Sequence, residues 1–438
     1  MAWPRSLAPL RHRRYAALWT GAFASNVGTW METVGVAVLV TTRTGQAGWT
    51  GLVAAAGFLP NALVGPIGGA LADRFPRRRL LLATTTAQTM LAGTLTVMAA
   101  TDTAHPWAVT LIVFASGCAG ALGFPSYQAL MPDLVPREDL TGAVALGAAQ
   151  WNLGRVIGPA LAGLVIGVGG YAWAFGINTL SFLAVIAVVA PLHLPAPRPV
   201  PGESIRRAII VGARFAWRES GIRAAMFYLG LNSLLAAPFI ALVPAVALRV
   251  YSDATTGTAV LVTAQGVGAV AMALALGGLA YRYGNRTTVL VCLAGLPLAL
   301  VAYALAPTLP FGAAAIFFVG ALYLGCLSSF TTIAQLRAPA ELRGRVLSAL
   351  MVLLGLLYPI GSVLQGAIAD EVGLRVTTAA AAVLLAGSFA MIRVGRPGFD
   401  HDLNGVVEAE GGVPAETWGG PRRFARHAPG RAAANRTR

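Results

Sequence analysis

The sequence contains no lysine, and all 32 of its basic residues are arginine. A chain without lysine can form neither the phosphate clamp of a P-loop nor a lysine Schiff base. The motifs His-Glu-x-x-His and Gly-x-Ser-x-Gly are also absent. The three cysteines fall in separate apolar runs and the five histidines are dispersed, so no metal-ligand spacing connects them. We therefore expect no enzyme activity, no ATP site, no cofactor and no metal in this chain.

Charged residues of either sign are scarce. They make up 11% of the chain and apolar residues 56%, against roughly 25% and 45–50% in soluble domains. The apolar residues occur in runs of about 20, the length that a helix needs to cross a bilayer. These runs predict an all-α polytopic membrane protein with twelve transmembrane helices. Their approximate bounds are 15–40, 51–71, 80–100, 107–130, 142–166, 171–192, 223–247, 257–280, 288–306, 311–332, 346–368 and 374–394.

The arginines are distributed unevenly between the two ends of these runs. The N-terminal arm, the loop after the second run, the loop that holds Arg137, the central linker, the loops near Arg282 and Arg343, and the C-terminal tail hold 28 of the 32. The alternate loops hold only Arg43, Arg249 and Arg375. The positive-inside rule predicts that both termini and the linker are cytoplasmic, in a multi-pass protein of the bacterial inner membrane. The net charge of +15 follows from this topology, so we expect the lipid bilayer, and no nucleic acid, as a partner.

One loop of the chain occurs twice. Residues 68–78 follow the second run, and residues 277–286 repeat the pattern 208 positions later, at the basic end of another apolar run. The corresponding pairs are Gly69 and Gly277, Asp73 and Tyr281, Arg74 and Arg282, and Arg78 and Arg286. Duplication of a polytopic membrane bundle points first to a transporter.

The duplication divides the chain into five parts. We expect a cytoplasmic N-terminal arm, a six-helix half, a cytoplasmic linker, a second six-helix half and a disordered cytoplasmic tail, with bounds 1–14, 15–192, 193–222, 223–395 and 396–438. The linker starts with a proline-rich segment, which predicts an extended chain. Its second half predicts an amphipathic helix that lies on anionic headgroups, packs on the ends of the bundle, or does both. Its apolar face holds Ile205, Ile209, Gly212 and Ala216, and its basic face holds Arg207, Arg214 and Arg218.

The first copy of the loop resembles the loop signature of the major facilitator superfamily. It reads Gly69-x-x-x-Asp73-Arg74-x-x-Arg77-Arg78, with Pro76 in place of the family's loop glycine. Further stretches are similar to the bacterial exporter subgroup that includes the enterobactin exporter and macrolide efflux proteins. They are Ser25-Asn-Val-Gly-Thr-Trp-Met, Gly123-Phe-Pro-Ser-Tyr, Pro132-Asp-Leu-Val-Pro and Glu341-Leu-Arg-Gly-Arg-Val. The resemblance implies two pseudo-symmetric six-helix halves and export of small molecules.

The loop charges are candidates for a cytoplasmic gate. A charge cluster at a helix end can bridge to a neighbouring helix in one conformation and release it in another. The alternative is that the arginines only set the topology. The candidates are Gly69, Asp73, Arg74, Arg77 and Arg78 in the first copy and Gly277, Arg282 and Arg286 in the second. Because Tyr281 replaces the acid, only the first copy can form the full charge arrangement.

The fifth run carries a glycine-rich stretch, which reads Gly154-Arg-Val-Ile-Gly158-Pro159-Ala-Leu-Ala-Gly163. It is similar to a motif associated with antiport in the same superfamily. Its three glycines predict a surface on which another helix can pack closely and slide, and its proline predicts a kink.

Two ionisable residues lie well inside the apolar runs, Glu32 in the first and Arg155 in the fifth. Each costs about 2.5–3.5 kcal/mol there, so both should face the bundle interior or a wet cavity. We interpret them as candidates for proton coupling, because Glu32 would stay ionised beside Arg155 and take up a proton when the two separate. The alternatives are a fixed ion pair, or two groups that reach water separately.

Small and polar residues on the first helix predict that it lines a cavity. They are Ser25, Gly28, Thr29 and Gly35. Ser25 and Thr29 are therefore candidates for substrate contacts, as are Asn232 and Gln265 in the second half. A mostly apolar cavity with few charges suits amphipathic organic molecules better than sugars or multiply charged metabolites.

Together these features predict a secondary active exporter that works by alternating access and proton-coupled antiport. Its substrate is expected to be a drug, a siderophore or a secondary metabolite. An importer of the same fold is one alternative, and a non-transporting membrane sensor or scaffold is another. Glu32 and Arg155 argue against a scaffold, which has no need of charges at membrane depth.

Overall fold

A computed structural model describes residues 7–192 and 205–395 together with Gly398 and Leu403. Within these residues the chain is helical and forms no strand, which confirms the predicted all-α class. The helices are α1 (Arg13–Thr44), α2 (Ala47–Leu63), α3 (Gly65–Arg74), α4 (Arg77–Ala100), α5 (Pro106–Leu130), α6 (Leu140–Val189), α7 (Ile205–Arg218), α8 (Ser220–Leu231), α9 (Pro238–Tyr251), α10 (Thr255–Tyr283), α11 (Asn285–Leu305), α12 (Leu309–Arg337), α13 (Arg343–Val372) and α14 (Leu374–Gly395). A π-helical turn, Asn232–Ala236, joins α8 to α9.

These helices provide twelve membrane spans. Ten stretches are long and apolar enough to cross a bilayer on their own, and α2 with α3 forms an eleventh span that is bent by 43°. Helix α6 has 50 residues, about twice the length of one span. It is broken at Gly170, whose φ of 75° lies outside the helical region, so residues 140–169 and 171–189 are separate spans. The first half of the molecule therefore comprises α1–α6, and the second comprises α8–α14.

Small residues let the helices of each half approach closely. In the first half, a Cβ built on Gly28 of α1 would lie 2.6 Å from Oδ1 of Asn178 in α6. In the second half, a Cβ on Gly320 of α12 would lie 2.2 Å from the carbonyl oxygen of Gln265 in α10. Because lipid tails give helices no hydrophobic reason to associate, such close packing is the main source of attraction between them.

The linker helix α7 packs on the bundle with one face. Gly212 and Ala216 on this face are buried, and Gly212 lies against the backbone of Arg345 at the start of α13. The opposite face is exposed and holds Ile210, Arg214, Trp217 and Arg218. The side chains of Ile205, Arg207 and Ile209, and the predicted extended segment before them, lie outside the described residues.

The predicted disordered tail, 396–438, lies outside the described residues except at two positions. One of them, Leu403, is fully buried in the apolar core of the second half. The composition of the tail did not indicate this burial, and disorder of the remaining tail residues stays a prediction.

The two halves meet at the side that carries few arginines. A Cβ on Gly51 of α2 would lie 2.2 Å from the carbonyl oxygen of Ser362 in α13. A Cβ on Gly163 of α6 would lie 2.6 Å from Cβ of Ala259 in α10. We call this side the closed side, and the side of the arginine-rich loops the basic side.

The basic side lacks such approaches at the repeated loops. No atom of the described residues lies within 4 Å of a Cβ built on Gly69, Gly277 or Gly278, apart from their own chain neighbours. Tyr281 is 94% exposed. The loops that the sequence repeats therefore face open space in this conformation.

Candidate functional site

Four side chains from both halves lie close to the middle of their spans. Trp30 belongs to α1 and Arg155 to the span 140–169, whereas Tyr323 is the central residue of α12 and Tyr358 is central in α13. The guanidinium carbon of Arg155 lies 5.9 Å from the centroid of the Trp30 ring. Tyr323 and Tyr358 of the second half are in its neighbourhood, across the boundary between the halves. We call these four residues and Trp151 the midplane cluster.

The glycine-rich stretch positions Arg155 in this cluster. A Cβ on Gly158 would lie 2.5 Å from Cβ of Trp30, and one on Gly154 would lie 3.1 Å from Cβ of Asn26. Both glycines therefore face α1 within the first half. Gly163 instead faces α10 of the second half, and Pro159 is buried. The predicted packing surface therefore contacts two helices, α1 in the same half and α10 in the other half.

Aromatic rings extend the cluster. Trp151 packs edge-on against Trp30 with ring centroids 6.1 Å apart, and Phe124 lies 6.5 Å from Trp151. Phe58 of α2 packs against Tyr358 of α13 at 5.1 Å, so an aromatic pair joins the halves. Sequence reasoning overlooked Trp151. The available signal was its spacing, since Trp151 and Arg155 are four residues apart and share a helical face.

Glu32 lies on a different face of α1 from this cluster. Its carboxylate accepts a hydrogen bond from Nδ2 of Asn178 at 2.7 Å, and it is buried between α1 and the span 171–189. The neighbouring Gly28 and Gly35 pack on the same span. The face predicted to line a cavity therefore forms a helix–helix contact at these positions, whereas Ser25 and Thr29 are half-buried. No ion pair joins Glu32 to Arg155 in the described part of the chain.

Asn232 and Gln265 are buried inside the second half. Each retains one side-chain atom without a hydrogen-bond partner, Oδ1 of Asn232 and Nε2 of Gln265. Asn232 begins the π-helical turn, and its amide interacts with the Cys326 thiol. On the other side of the turn, Nε2 of Gln365 in α13 donates to the carbonyl oxygens of Leu234 and Leu235, at 3.0 Å each. These bonds fasten the seventh span to α13.

Asp370, near the end of α13, connects the halves at the closed side. Its Oδ1 accepts a hydrogen bond from the backbone N–H of Ala47 at 2.7 Å, and its Oδ2 accepts one from Gly48 at 2.8 Å. Nη1 of Arg249, at the end of α9, donates to Oδ1 at 2.7 Å. One carboxylate thus holds the first turn of α2 in one half and an arginine in the other. We call this arrangement the Asp370 latch.

The start of α2 needs such a partner. The first N–H groups of a helix have no partner within the helix. Gln46, which precedes α2, provides no side-chain hydrogen bond to them. The turn before it is short, with Gly45 at φ +68° and a 2.6 Å hydrogen bond between Thr41 and Thr50. Asp370 therefore replaces the missing cap and also favours the positive end of the helix dipole.

The other arginines of the closed side also have partners. Arg43 forms an ion pair with Asp102 within the first half. Arg375 donates to the carbonyl oxygen of Ala306 at 2.9 Å within the second. Arg249 also pairs within the second half, but with the carboxylate that reaches across to α2.

The first copy of the repeated loop is anchored within its own half. Nη1 of Arg77 donates to the carbonyl oxygen of Ala129 at 3.1 Å and to Oδ2 of Asp133 at 2.9 Å. Arg78 donates to the carbonyl oxygen of Ala190, just after the end of α6. These two arginines therefore join neighbouring helices in addition to any effect on topology. Arg74 is exposed, and the side chain of Asp73 lies outside the described set.

The second copy makes weaker contacts. The guanidinium of Arg282 lies over the ring of Tyr283 at 5.3 Å. Nε of Arg286 is buried without a hydrogen-bond partner. The two copies thus share a sequence pattern but use it differently.

The N-terminal segment is attached to the basic side of the first half. Nε2 of His12 and Nη2 of Arg11 contact Oδ2 of Asp139 at 2.7 and 3.0 Å. The hydrogen bond with His12 lowers the pKa of the Asp139 carboxyl, and Arg11 adds to this effect. Tyr15 continues the contact by donating to the carbonyl oxygen of Ala143 at 3.0 Å.

The described residues contain no group of three or more His, Cys, Asp or Glu side chains that could hold a metal ion. The chemistry available at the midplane is therefore that of one guanidinium, two phenols and two indoles.

The chain is similar to one family model and to several named proteins. A family model described as transmembrane secretion effector matches residues 4–411. The multidrug efflux pump Tap of Mycolicibacterium fortuitum is 28% identical, covering 84% of this chain and 91% of that protein. Macrolide efflux protein A of Streptococcus pyogenes is 24% identical (83% and 91%), and the enterobactin exporter EntS of Salmonella typhimurium is 29% identical (79% and 83%).

Solved structures share the fold. A bacterial homologue of the human lysosomal transporter Spinster, in an inward-facing and unoccupied conformation, matches with a TM-score of 0.71 at 14% identity, covering 92% of this chain and 99% of that one. The nucleoside transporter NupG matches with a TM-score of 0.65 at 15% identity, covering 86% and 98%. At these identities the likeness shows the fold alone.

Proposed function

Since the chain belongs to the transmembrane secretion effector family of the major facilitator superfamily, we propose that it exports amphipathic organic molecules across the bacterial inner membrane by alternating access. The relatives that bear the names of a multidrug pump, a macrolide efflux protein and a siderophore exporter support export. The observation that carries the proposal is the midplane cluster, to which both halves contribute side chains at the centre of their spans.

The distribution of contacts supports alternating access. The halves approach closely on the closed side, at Gly51 and Gly163, and the repeated loops on the basic side face open space. With the basic side in the cytoplasm, as the arginine distribution predicts, this is the inward-facing state. The proposed cycle opens the closed side and brings the basic loops together, so that the midplane cluster faces each side in turn.

The Asp370 latch is the proposed lock of the inward-facing state. Two of its hydrogen bonds, from the N–H groups of Ala47 and Gly48, cross between the halves, and the third, from Arg249, orients the carboxylate within the second half. Hydrogen bonds to charged groups are worth about 1.5–3 kcal/mol each, and less at a carboxylate that is 25% exposed, as this one is. Breaking the first two frees the start of α2 from α13. On the cytoplasmic side, Asp73 and Arg74 are proposed to form the opposite lock when that side closes. Arg74 is exposed, so its guanidinium is accessible to a partner from the second half.

Glu32 is the proposed proton carrier. Its carboxylate lies in the first half with Asn178 as its hydrogen-bond partner. An asparagine amide can donate to an ionised carboxylate and can also accept from a protonated one. The pair can therefore retain a hydrogen bond in both protonation states. Glu32 therefore does not need Arg155 as a counter-ion.

Transport by reconstituted protein tests both parts of the proposal. Inside-out vesicles with an acidic interior should accumulate a macrolide, a catecholate siderophore or ethidium, and Glu32→Gln should abolish this proton-driven uptake while substrate exchange without a gradient continues. Glu138→Gln is the control, because Glu138 is an exposed carboxylate outside the spans. If none of the compounds is taken up under any gradient, the exporter proposal is overturned. If Glu32→Gln transports normally, Glu32 is not the proton carrier.

A further inference from the structure

Arg155 is a cation at membrane depth without an anionic partner. Among the described residues no carboxylate lies within ion-pair distance of its guanidinium, and it makes no hydrogen bond there. Arg77, Arg249 and Arg337, by contrast, each pair with a carboxylate at 2.7–2.9 Å. A charged group in the middle of a span costs about 2.5–3.5 kcal/mol, and this cost is offset by water in a cavity or by a bound anion.

The carboxylate expected to supply that compensation is directed elsewhere. Glu32 is buried on the face of α1 that contacts the span 171–189, and Asn178 binds it at 2.7 Å. Arg155 lies over the ring of Trp30, which faces the glycine surface of the span 140–169. The ring quadrupole of a tryptophan stabilises a cation but leaves the guanidinium N–H groups free to donate.

The surroundings of Arg155 are suited to an organic anion. The guanidinium fork can bind the two oxygens of a carboxylate in parallel hydrogen bonds. Tyr323 and Tyr358 are neighbours of the same guanidinium, and a phenol hydroxyl can donate a further hydrogen bond to a bound anion. Trp30 and Trp151 present ring surface beside it, and Trp151 is 49% exposed.

We propose that the midplane cluster binds amphipathic organic anions, with the acidic group on Arg155 and the apolar or aromatic body on Trp30 and Trp151. The proposal rests on the exporter function and specifies its substrate class. Because Arg155 lies at the boundary between the halves, the anion neutralises it in every state that the transporter passes through while loaded. Organic cations of similar shape are excluded by the same charge.

Binding of three naphthalene probes tests the proposal. The probes are naphthoate, its methyl ester and naphthylmethylammonium, which share a ring system and differ in charge. They are titrated into purified protein in lipid nanodiscs by calorimetry. We expect naphthoate to bind at least tenfold more tightly than the ester, and the ammonium probe to bind more weakly than both. Arg155→Gln should reduce the affinity for naphthoate to that for the ester, and Arg155→Lys should restore part of the preference.

Arg214→Gln is the matched control, because Arg214 is exposed on α7, away from the cluster. It should leave all three affinities unchanged. Equal binding of naphthoate and ester, a preference that survives in Arg155→Gln, or no detectable naphthoate binding would each overturn the proposal. Unfolding of a variant would appear as loss of ester binding as well. If vesicles still accumulate neutral or cationic compounds, the exporter function stands although the anion proposal has failed. If anion binding is found without transport of any compound, the exporter function has failed.

Discussion

The glycines at the two ends of the bundle differ in how closely other helices approach them. At the closed side a Cβ on Gly51 would collide with the backbone of α13, whereas at the basic side a Cβ on Gly69 or Gly277 would meet nothing within 4 Å. Among the described residues, neither Gly69 nor Gly277 has a close neighbour that would require a glycine in the present conformation. We propose that both serve the alternate conformation of the proposed cycle, in which the basic side closes.

The strongest test of this comparison places a bulky side chain at each end. Gly51→Leu should force the closed side apart, because overpacking costs about 1–3 kcal/mol or more where the neighbour is backbone. Gly69→Leu should leave the present state intact and prevent closure of the basic side. We expect export to fall at least tenfold in both variants, with opposite shifts of the conformational equilibrium.

Distances between spin labels measure these shifts, after replacement of the three cysteines. Thr103 and Thr308 are exposed positions on the closed side in the first and second halves, and Thr141 and Glu341 are exposed on the basic side. Gly51→Leu should lengthen the distance between labels at Thr103 and Thr308, and Gly69→Leu should not. If both variants shift the label distances in the same direction, Gly51 and Gly69 do not act in opposite conformations.

Removal of one charge at the closed side should have the next largest effect. Asp370→Asn weakens three charge-assisted hydrogen bonds, to Ala47, Gly48 and Arg249. We expect roughly a tenfold shift towards the state open at that side, since about 1.4 kcal/mol corresponds to a factor of ten. Asp102→Asn is the matched control, because it breaks an aspartate–arginine pair on the same side within one half. Equal effects of the two variants would show that the latch does not hold the halves together.

At the basic side, Asp73→Asn should reduce transport strongly while the protein remains abundant in the membrane. The expected reason is loss of the proposed lock of the alternate state. Tyr281→Phe is the control, because Tyr281 occupies the corresponding position in the second copy and is 94% exposed. Transport assays on variants with matched expression measure the difference. Normal transport by Asp73→Asn would leave the loop with its topological role and the contacts of Arg77 and Arg78 alone.

The smallest expected effect concerns pH. The contact with His12 lowers the pKa of Asp139, so its stabilising contribution is present above the ordinary aspartate pKa of about 3.9 and is lost as the pH falls through the lowered value. Asp139→Asn should therefore decrease the melting temperature slightly at neutral pH, and the difference from the parent protein should shrink in acid. Glu138→Gln replaces a neighbouring carboxylate that is 76% exposed. It should change neither the melting temperature nor its dependence on pH. A constant difference at all pH values would contradict this assignment.

The sequence predicts most of the fold because membrane helices are determined locally. About 20 consecutive apolar residues are sufficient to specify a span, and the twelve predicted runs coincide with the helices to within a few residues, apart from the 43° bend between α2 and α3. The break of α6 at Gly170 left no polar loop in the sequence, yet the runs on either side were separated correctly by their lengths.

The functional contacts depend on distant residues and could not be predicted in the same way. Ala47 and Asp370 are separated by 323 positions. The sequence shows Asp370 only as one acid at the end of a run. Likewise, the depth of Glu32 and Arg155 followed from their runs, but the direction of each side chain around its helix depended on packing. Gly28 places Glu32 against Asn178, and Gly158 places the helix of Arg155 against Trp30.

The long separation between Ala47 and Asp370 also sets an order of events during synthesis. The ribosome releases the first half long before α13, and domains of a growing chain fold as they emerge. Until the eleventh span is inserted, the first turn of α2 has no acceptor for its N–H groups. The newly made first half therefore lacks the hydrogen bonds that Asp370 later accepts from the first turn of α2. The Asp370 latch can form only after α13 has been made, so a chain truncated before α13 lacks these hydrogen bonds between the halves.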